Sequence, residues 1–495
     1  MTNDKWGGGE LYLRLEMISL LAALMCAGTD VVPEGRPNIV LVLADDMGYG
    51  DVSALNEESK IATPGIDRLA REGVAFTDAH TSSSVSTPSR YALLTGRYNW
   101  RSDLKEGVLY GYDKALIPSE RQTVAGALRS VGYRTACIGK WHLGWTWAGI
   151  EQGKDSVDFG SPIEEGPTTR GFDYFYGIAG SLDMAPYVYI ENDRATALPD
   201  RETQSSEEFG WWRKGPTGSD FRHEQVLPNL CDRAVDYIEH HAEEPFFLYL
   251  PLTAPHTPIL PTEEYRGVTG LNPYGDFVAM VDGVVGRIES ALDSLGLADN
   301  TILIFTTDNG CSPEADFESL NAKGHDPSYI YRGYKADLYE GGHRVPCFVR
   351  WPAQVEAHVV DQTVCLTDFY ATLAAAAGYE LGETEAEDSY NLLPLLLEQE
   401  EGEPLREATV HHSIYGNFSI RQGRWKLLLA PSSGGWSYPA PGKDDEEVAR
   451  LPEVQLYDLE ADPAEEHNVE AEHPEVVAQL RELLDRYVRE GRSRP

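Results

Sequence analysis

Ser86 opens the string Ser86-Thr-Pro-Ser-Arg-Tyr-Ala-Leu-Leu-Thr-Gly-Arg97, with Pro88 and Arg90 close behind it and Gly96 near its end. Pro suits the first turn of a helix and Gly the position just past its end. The string therefore predicts a short helix whose N-terminus lies at or just after Ser86. Free backbone N–H groups and the positive end of the helix dipole would sit beside the hydroxyl, a place suited to an oxyanion such as sulfate or phosphate. Taken alone, a Ser before Pro reads first as an ordinary helix cap. Two further pairs offer oxygen ligands. Asp45-Asp46 ends the apolar run 39–44, and Asp308-Asn309 ends the run 301–307. Paired carboxylates anchor hard cations, and open α/β sheets gather their ligands at the carboxyl ends of strands. Each pair alone also reads as a turn, but two at one predicted sheet edge point to a shared cation. Lys140 and His142 follow a predicted strand over 134–138. Side chains two apart in extended chain share a face, which suits two groups aimed at one anion. His256 ends another apolar strand, and Lys335 precedes Glu340-Gly-Gly-His343-Arg344-Val-Pro.

The elements that must position these residues alternate. Apolar strands over 39–44, 134–138, 246–250, 301–307 and 347–350 interleave with helices over 64–73, 121–131, 225–241, 276–295 and 361–378, the pattern of the doubly wound α/β class. The expected architecture is a large central mixed, mostly parallel sheet sandwiched by helices. Short strands over 408–412, 418–422, 425–429 and 454–458, with an amphipathic helix over 473–491, add a smaller C-terminal α+β module with an antiparallel sheet. The expected division is an N-terminal segment over 1–28, a catalytic domain over 36–380, an acidic linker over 381–406 and the C-terminal module over 407–495. Residues 145–225 read as long loops over the strand ends, where substrate choice is made. Asp183, Tyr187, Trp211 and Trp212 there are candidate sugar contacts.

Composition narrows the class. The chain has 495 residues, 42% of them hydrophobic and 10% aromatic, enough for one large and one smaller core. Its net charge is −39, from 80 acids against 41 bases. Such a surface repels nucleic acid, and an anionic substrate requires positive charge gathered in one pocket. Six Cys with no Cys-x-x-Cys pair signal neither a zinc site nor a disulfide framework. The apolar run 17–27 is too short to span a membrane and fits a signal peptide, with a start at Met17 or lipidation of Cys26 as alternatives. The expectation is an exported protein, periplasmic or at the cell surface, with no transmembrane segment in its mature form.

The ordered motifs, from Asp45-Asp46 through Ser86-x-Pro-x-Arg90, Thr-Gly-Arg97, Gly-Lys140-x-His142-x-Gly, Ala-Pro-His256, Asp308-Asn309-Gly, Lys335 and Glu-Gly-Gly-x-Arg344-Val-Pro to Leu-Tyr-Asp-x-x-x-Asp-Pro-x-Glu-x-x-Asn468, resemble those of the formylglycine-dependent sulfatases of the alkaline-phosphatase-like superfold. The resemblance runs from Pro37 to about Asn468. It implies that residue 86 is oxidised to formylglycine, and a Ser there resembles the form matured by an anaerobic sulfatase-maturating enzyme. It implies a calcium ion held by Asp45, Asp46, Asp308, Asn309 and the modified residue 86, with Arg90 steadying that residue. Lys140, His142, His256 and Lys335 would surround the sulfate, and Asp183, His343 and Arg344 are carried as substrate-binding candidates. A hydrated aldehyde offers two hydroxyls on one carbon, so one can attack sulfur and the other later expel sulfate. His256 is expected to protonate the leaving oxygen and His142 to act as base. Ala336 stands where many members carry Gly, with little effect expected. The substrate implied is a sulfated glycan, taken in exo fashion at a galactose or N-acetylgalactosamine sulfate. A phosphomonoester or phosphonate hydrolase of the same superfold, and a non-catalytic glycan binder, are the alternatives.

Overall fold

A computed structural model describes residues 35–398 and 403–495; the segment 1–28, with Cys26, lies outside them. Residues 37–495 form one compact unit. In chain order the strands are β1 (Asn38–Asp45), β2 (Val74–Phe76), β3 (Ala79–His80), β4 (Arg134–Lys140), β5 (Tyr174–Ile178), β6 (Ile190–Glu191), β7 (Arg194–Ala195), β8 (Pro199–Ser205) and β9 (Trp212–Gly218). They continue with β10 (Phe246–Pro255), β11 (Thr301–Thr307), β12 (Cys347–Arg350), β13 (His358–Val360), β14 (Val364–Cys365), β15 (Thr409–His412), β16 (Phe418–Gln422), β17 (Trp425–Leu428) and β18 (Gln455–Asp458).

The main sheet has the order β13-β2-β12-β11-β1-β10-β4-β5-β6-β7. Its central strands β11, β1, β10, β4 and β5 run parallel, and β12 and β6 begin antiparallel edges. Strand β1 is buried along its whole length, as a central parallel strand covered on both faces must be. Ile39, Leu41 and Leu43 enter one core layer with Tyr249 and Leu373. Val40, Val42 and Ala44 enter the other with Leu248, Val281 and Ile288. Val40 lies opposite Leu248 on one side and Leu303 on the other. This register brings the carboxyl ends of β1, β10 and β11 to one rim.

The antiparallel sheet β15-β16-β17-β18 and the helix Pro474–Glu490 form the C-terminal module. Pro474 is that helix's first residue, and Gly491 ends it at φ 72°. Residues 145–225 differ from the loop expectation. Strands β5, β6 and β7 extend the main sheet there, and β8 and β9 form a separate hairpin. The hairpin strands are short of apolar alternation because β8 alternates half-buried and exposed positions along a polar sequence. The helix expected over 361–378 is shorter, Phe369–Ala377, because β13 and β14 occupy nearby residues before it. The five described Cys residues are free and buried. Among the described residues no helix is long and apolar enough to cross a membrane.

Candidate active site

Ser86 is the first residue of the helix Ser86–Thr95; Val85 is its cap, and Pro88 falls third. The Ser86 hydroxyl is thus not spent on capping. Gly96 closes the helix at φ 62°, donating its N–H to the Ala92 carbonyl. The Ser86 hydroxyl lies 3.0 Å from His142 Nδ1. His142 Nε2 lies 2.6 Å from the Leu109 carbonyl, which can only accept. Nε2 of the neutral ring therefore carries the proton, and Nδ1 accepts from Ser86. Burial, then the charges of Lys140 and Arg90, hold His142 well below its ordinary pKa, which keeps Nδ1 a free acceptor. The chain turns at His142, with φ 56°. The two-apart spacing from Lys140 works through this turn, not through extended chain.

The remaining groups gather around the carboxylates. Lys140 Nζ donates to Asp45 Oδ2 at 2.7 Å, and Lys335 Nζ to Asp46 Oδ2 at 2.7 Å. Arg90 sends Nε and Nη2 to Asp308 Oδ2 at 3.0 and 2.7 Å, and Nη1 to the Lys140 carbonyl at 2.9 Å. Asn309 Nδ2 donates to Asp46 Oδ1 at 2.7 Å, and the Asp46 N–H donates to Asp308 Oδ1 at 3.2 Å. His256 Nε2 lies 3.6 Å from Asp46 Oδ2, while its Nδ1 donates to the Thr257 carbonyl at 2.5 Å. All of these side chains are buried, Ser86 at 2% and Lys335 at 7% exposure.

Three carboxylates in one buried pocket oppose one another. Burial raises the pKa of Asp45, but Lys140, His256, Arg90 and Lys335 together hold it far below the carboxylate range. Burial and the Asp45 charge push Asp308 the other way, against the Arg90 fork. A cation relieves this opposition, and two buried oxygens, Asp45 Oδ1 and Asn309 Oδ1, have no hydrogen-bond donor. A donor set made mostly of oxygens, with unused buried lone pairs and the His256 ring nitrogen beside it, fits a hard divalent ion. Asp45, Asp46 and Asp308 are balanced by Arg90, Lys140 and Lys335. A bound divalent ion would leave the pocket net positive, the charge an anionic ester requires.

His343 and Arg344 do not join this group. His343 Nδ1 meets His80 Nδ1 at 3.0 Å, and its ring stacks on His411 at 3.9 Å. Arg344 donates to Glu340 Oε2 at 3.1 Å, pairs with Asp78 at 2.9 Å and caps the Thr77 carbonyl. His343 ends the short helix Glu340–His343 and Arg344 follows it in extended backbone, and both side chains enter a carboxylate and histidine cluster beside the C-terminal module. The structure thus places these two substrate-binding candidates away from the carboxylates and lysines of the rim. Asp183 is buried and pairs with Arg213, a partner the sequence did not signal, and its Oδ1 has no donor. Trp211, beside Arg213, donates to Glu314 Oε2 at 3.0 Å, and the Phe209 carbonyl accepts from the Ile259 N–H at 2.8 Å. Residues 209–213 therefore bridge the loops that follow β5, β10 and β11, over the rim that carries the site. Tyr187 is buried, with its hydroxyl on the Asp183 and Arg213 carbonyls, and Trp212 stacks on His223.

Residues 37–379 match the family model described as Sulfatase. The chain belongs to the sulfatase family. It is 37% identical to the N-acetylgalactosamine-6-O-sulfatase of Bacteroides thetaiotaomicron, over 91% of this chain and 93% of that protein. It is 32% identical to human arylsulfatase A, over 94% and 90% of the two chains. A solved Bacteroides thetaiotaomicron structure, from work on the metabolism of multiple glycosaminoglycans, superposes with a TM-score of 0.80 at 36% identity, covering 91% of this chain and 98% of that one. Ps i-CgsB in complex with a neocarrahexaose gives 0.70 at 26% identity, with 92% and 93% covered. This sulfatase is thus a hydrolase of sulfuric esters, with its mixed sheet and C-terminal antiparallel sheet arranged as in its relatives.

Proposed function

We propose that this sulfatase is exported and removes sulfate from a sulfated carbohydrate, acting at the end of the chain on a galactose or N-acetylgalactosamine sulfate. The observation that carries the reading is the Ser86 hydroxyl at a helix N-terminus, held on a neutral His142 beside the carboxylates and lysines of the rim. N-acetylgalactosamine 6-sulfate is the first candidate, supported by the named activity of the relative that shares 37% identity. Residue 86 would be converted to formylglycine by an anaerobic sulfatase-maturating enzyme, and its hydrate would supply the second hydroxyl that an unmodified Ser lacks. Asp45, Asp46, Asp308, Asn309 and residue 86 would hold calcium, which would supply charge neutralisation and a lowered pKa for the attacking hydroxyl.

The chain's own groups do the rest. Arg90 orients Asp308 and the end of β4 together. Lys140 and Lys335 carry the positive charge that stabilises sulfuryl oxygens as charge builds in the transition state. His142 Nδ1 would take a proton from the side chain at residue 86, and His256, whose Nδ1 proton is held by the Thr257 carbonyl, would give one from Nε2 to the leaving oxygen when its ring is doubly protonated. Asp183 and Arg213, with Trp211 alongside, offer a polar and aromatic wall for the sugar.

Matured protein is expected to turn over 4-nitrophenyl sulfate faster than 4-nitrophenyl phosphate, and to desulfate 6-sulfated N-acetylgalactosamine within a panel of defined sulfated saccharides. Faster phosphate turnover overturns the sulfatase assignment of this site in favour of a phosphomonoesterase. Mass spectrometry of the peptide carrying residue 86 from the native host reads the modification directly. An unmodified Ser86 there favours a non-catalytic glycan binder.

A further inference from the structure

Asp46 holds φ at 67°, a left-handed backbone that residues other than Gly adopt at a cost. Such a conformation persists where its surroundings over-determine it. The turn that follows is fastened from outside the site by a buried carboxylate. Asp51 Oδ2 accepts the Gly48 N–H at 2.7 Å and the Tyr274 hydroxyl at 2.5 Å. Asp51 Oδ1 pairs with His325 Nε2 at 2.9 Å. His325 Nδ1 faces the Lys60 N–H at 3.3 Å, a group that can only donate. Nδ1 is therefore the acceptor, and Nε2 carries the proton given to Asp51. The Tyr274 hydroxyl also lies 3.4 Å from the Asp46 carbonyl. Two more bonds close the turn: Met47 N–H donates to Thr307 Oγ1 at 3.2 Å, and Gly50 N–H to the Pro327 carbonyl at 2.7 Å. Gly48 and Gly50 have no room for a Cβ against the carbonyls of residues 326 and 327.

Asp51, Tyr274 and His325 come from distant parts of the chain, and each is at most 1% exposed. A carboxylate this deep must be fully paired, and every partner of the Asp51 carboxylate is a donor belonging to the turn, the Pro273–Ser294 helix or the loop around residue 325. None of its oxygens is left for a ligand. Its effect on the site runs through the backbone of Asp46, whose carboxylate meets Asn309 and Lys335.

We infer that Asp51, Tyr274 and His325 are positioning residues: they lock the turn after Asp46 and so set how tightly the site holds a divalent cation. The inference rests on the calcium reading proposed above. A merely structural role predicts a different result. Losing the network would then lower the melting temperature and leave the affinity of the folded molecules alone. Partners that orient metal ligands carry about 10–100-fold in affinity.

The experiment is calorimetric titration of calcium into the full chain with Ser86 unmodified, so no maturation or turnover is needed. Parent, Tyr274→Phe, His325→Gln and a control, Tyr457→Phe, are compared, with the folded fraction read by circular dichroism. Tyr457 donates to Gln455 Oε1 at 2.6 Å in the C-terminal sheet, far from the turn in its bonding. The expected result is calcium binding weakened about 10–100-fold in Tyr274→Phe and in His325→Gln, with Tyr457→Phe binding as the parent does. Should Tyr274→Phe fail to fold, His325→Gln decides alone. Parent-like affinity in the network variants overturns the inference and leaves the calcium reading standing. A parent chain that binds no calcium overturns both.

Discussion

The two histidines of the site differ in what surrounds them, and the difference bears on the roles proposed for them. His142 is locked as an acceptor toward Ser86 by a carbonyl behind it. His256 spends Nδ1 on its neighbour's carbonyl and turns Nε2 toward Asp46. If His256 protonates the leaving oxygen, His256→Ala should lose most on esters with poor leaving groups, by about 10²–10⁴-fold for general acid catalysis, and little on 4-nitrophenyl sulfate. His142→Ala should lose similarly on both. Equal dependence on leaving-group pKa in the two variants would remove these roles, and a steeper dependence in His142→Ala would reverse them. Next to Lys335, Ala336 holds φ 81° while fully buried, its N–H on the Ser84 carbonyl at 2.8 Å. The substitution that looked neutral in the sequence is a strained one. Ala336→Gly should therefore stabilise the protein by about 1 kcal/mol, read as a higher Tm with the kinetics unchanged.

At the scale of elements, the Pro273–Ser294 helix carries a buried acid on its packed face. Glu289 is 4% exposed, its Oε1 has no donor, and Arg68 of the neighbouring helix reaches it only at 3.8 Å. Burial pushes its pKa up to about 7, from 4.5. The folded state keeps a proton that the unfolded chain releases, so stability is lost as pH rises through that window. Glu289→Gln should flatten the fall in Tm between about pH 4.5 and 7 relative to the parent; an unchanged profile would show that Arg68 already neutralises the charge. Elements such as β11 and β12 were legible because continuous apolar runs with turn residues after them admit few other readings. Their ends carried the site with them, which is why Asp45, Asp46, Asp308 and Asn309 converge from sequence positions far apart. The β5–β9 region was not legible, since edge strands and a polar hairpin carry little periodicity. Where His343 and Arg344 point was not legible either, because a motif's place in the chain does not say which way a four-residue helix and the residue after it turn their side chains.

At the scale of the molecule, the C-terminal module completes the main body's core. Tyr98 and Trp100, just past the Ser86 helix, share one cluster with Val410, Ile420, Leu427, Leu456 and Leu480. The Val410 N–H donates to the Tyr98 hydroxyl at 3.0 Å. The stretch leading to Ser86 is paired the same way: His412 N–H donates to the Ser82 carbonyl at 3.0 Å, and Ser84 N–H to the His412 carbonyl at 3.1 Å. Lys426, fully buried, sits 3.0 Å from Glu340 and 2.7 Å from Glu465. A chain ending at residue 406 would uncover Tyr98 and Trp100, at about 1.5–3 kcal/mol each. It would also strip Glu340 of Lys426, and breaking a buried pair costs about 3–5 kcal/mol. Together these approach the whole stability of a native domain, about 5–15 kcal/mol. The truncated chain should therefore show no cooperative thermal transition and bind no calcium, although every proposed site residue is still present. A cooperative melt with parent-like calcium affinity would mean that the body folds alone and that the shared core is dispensable.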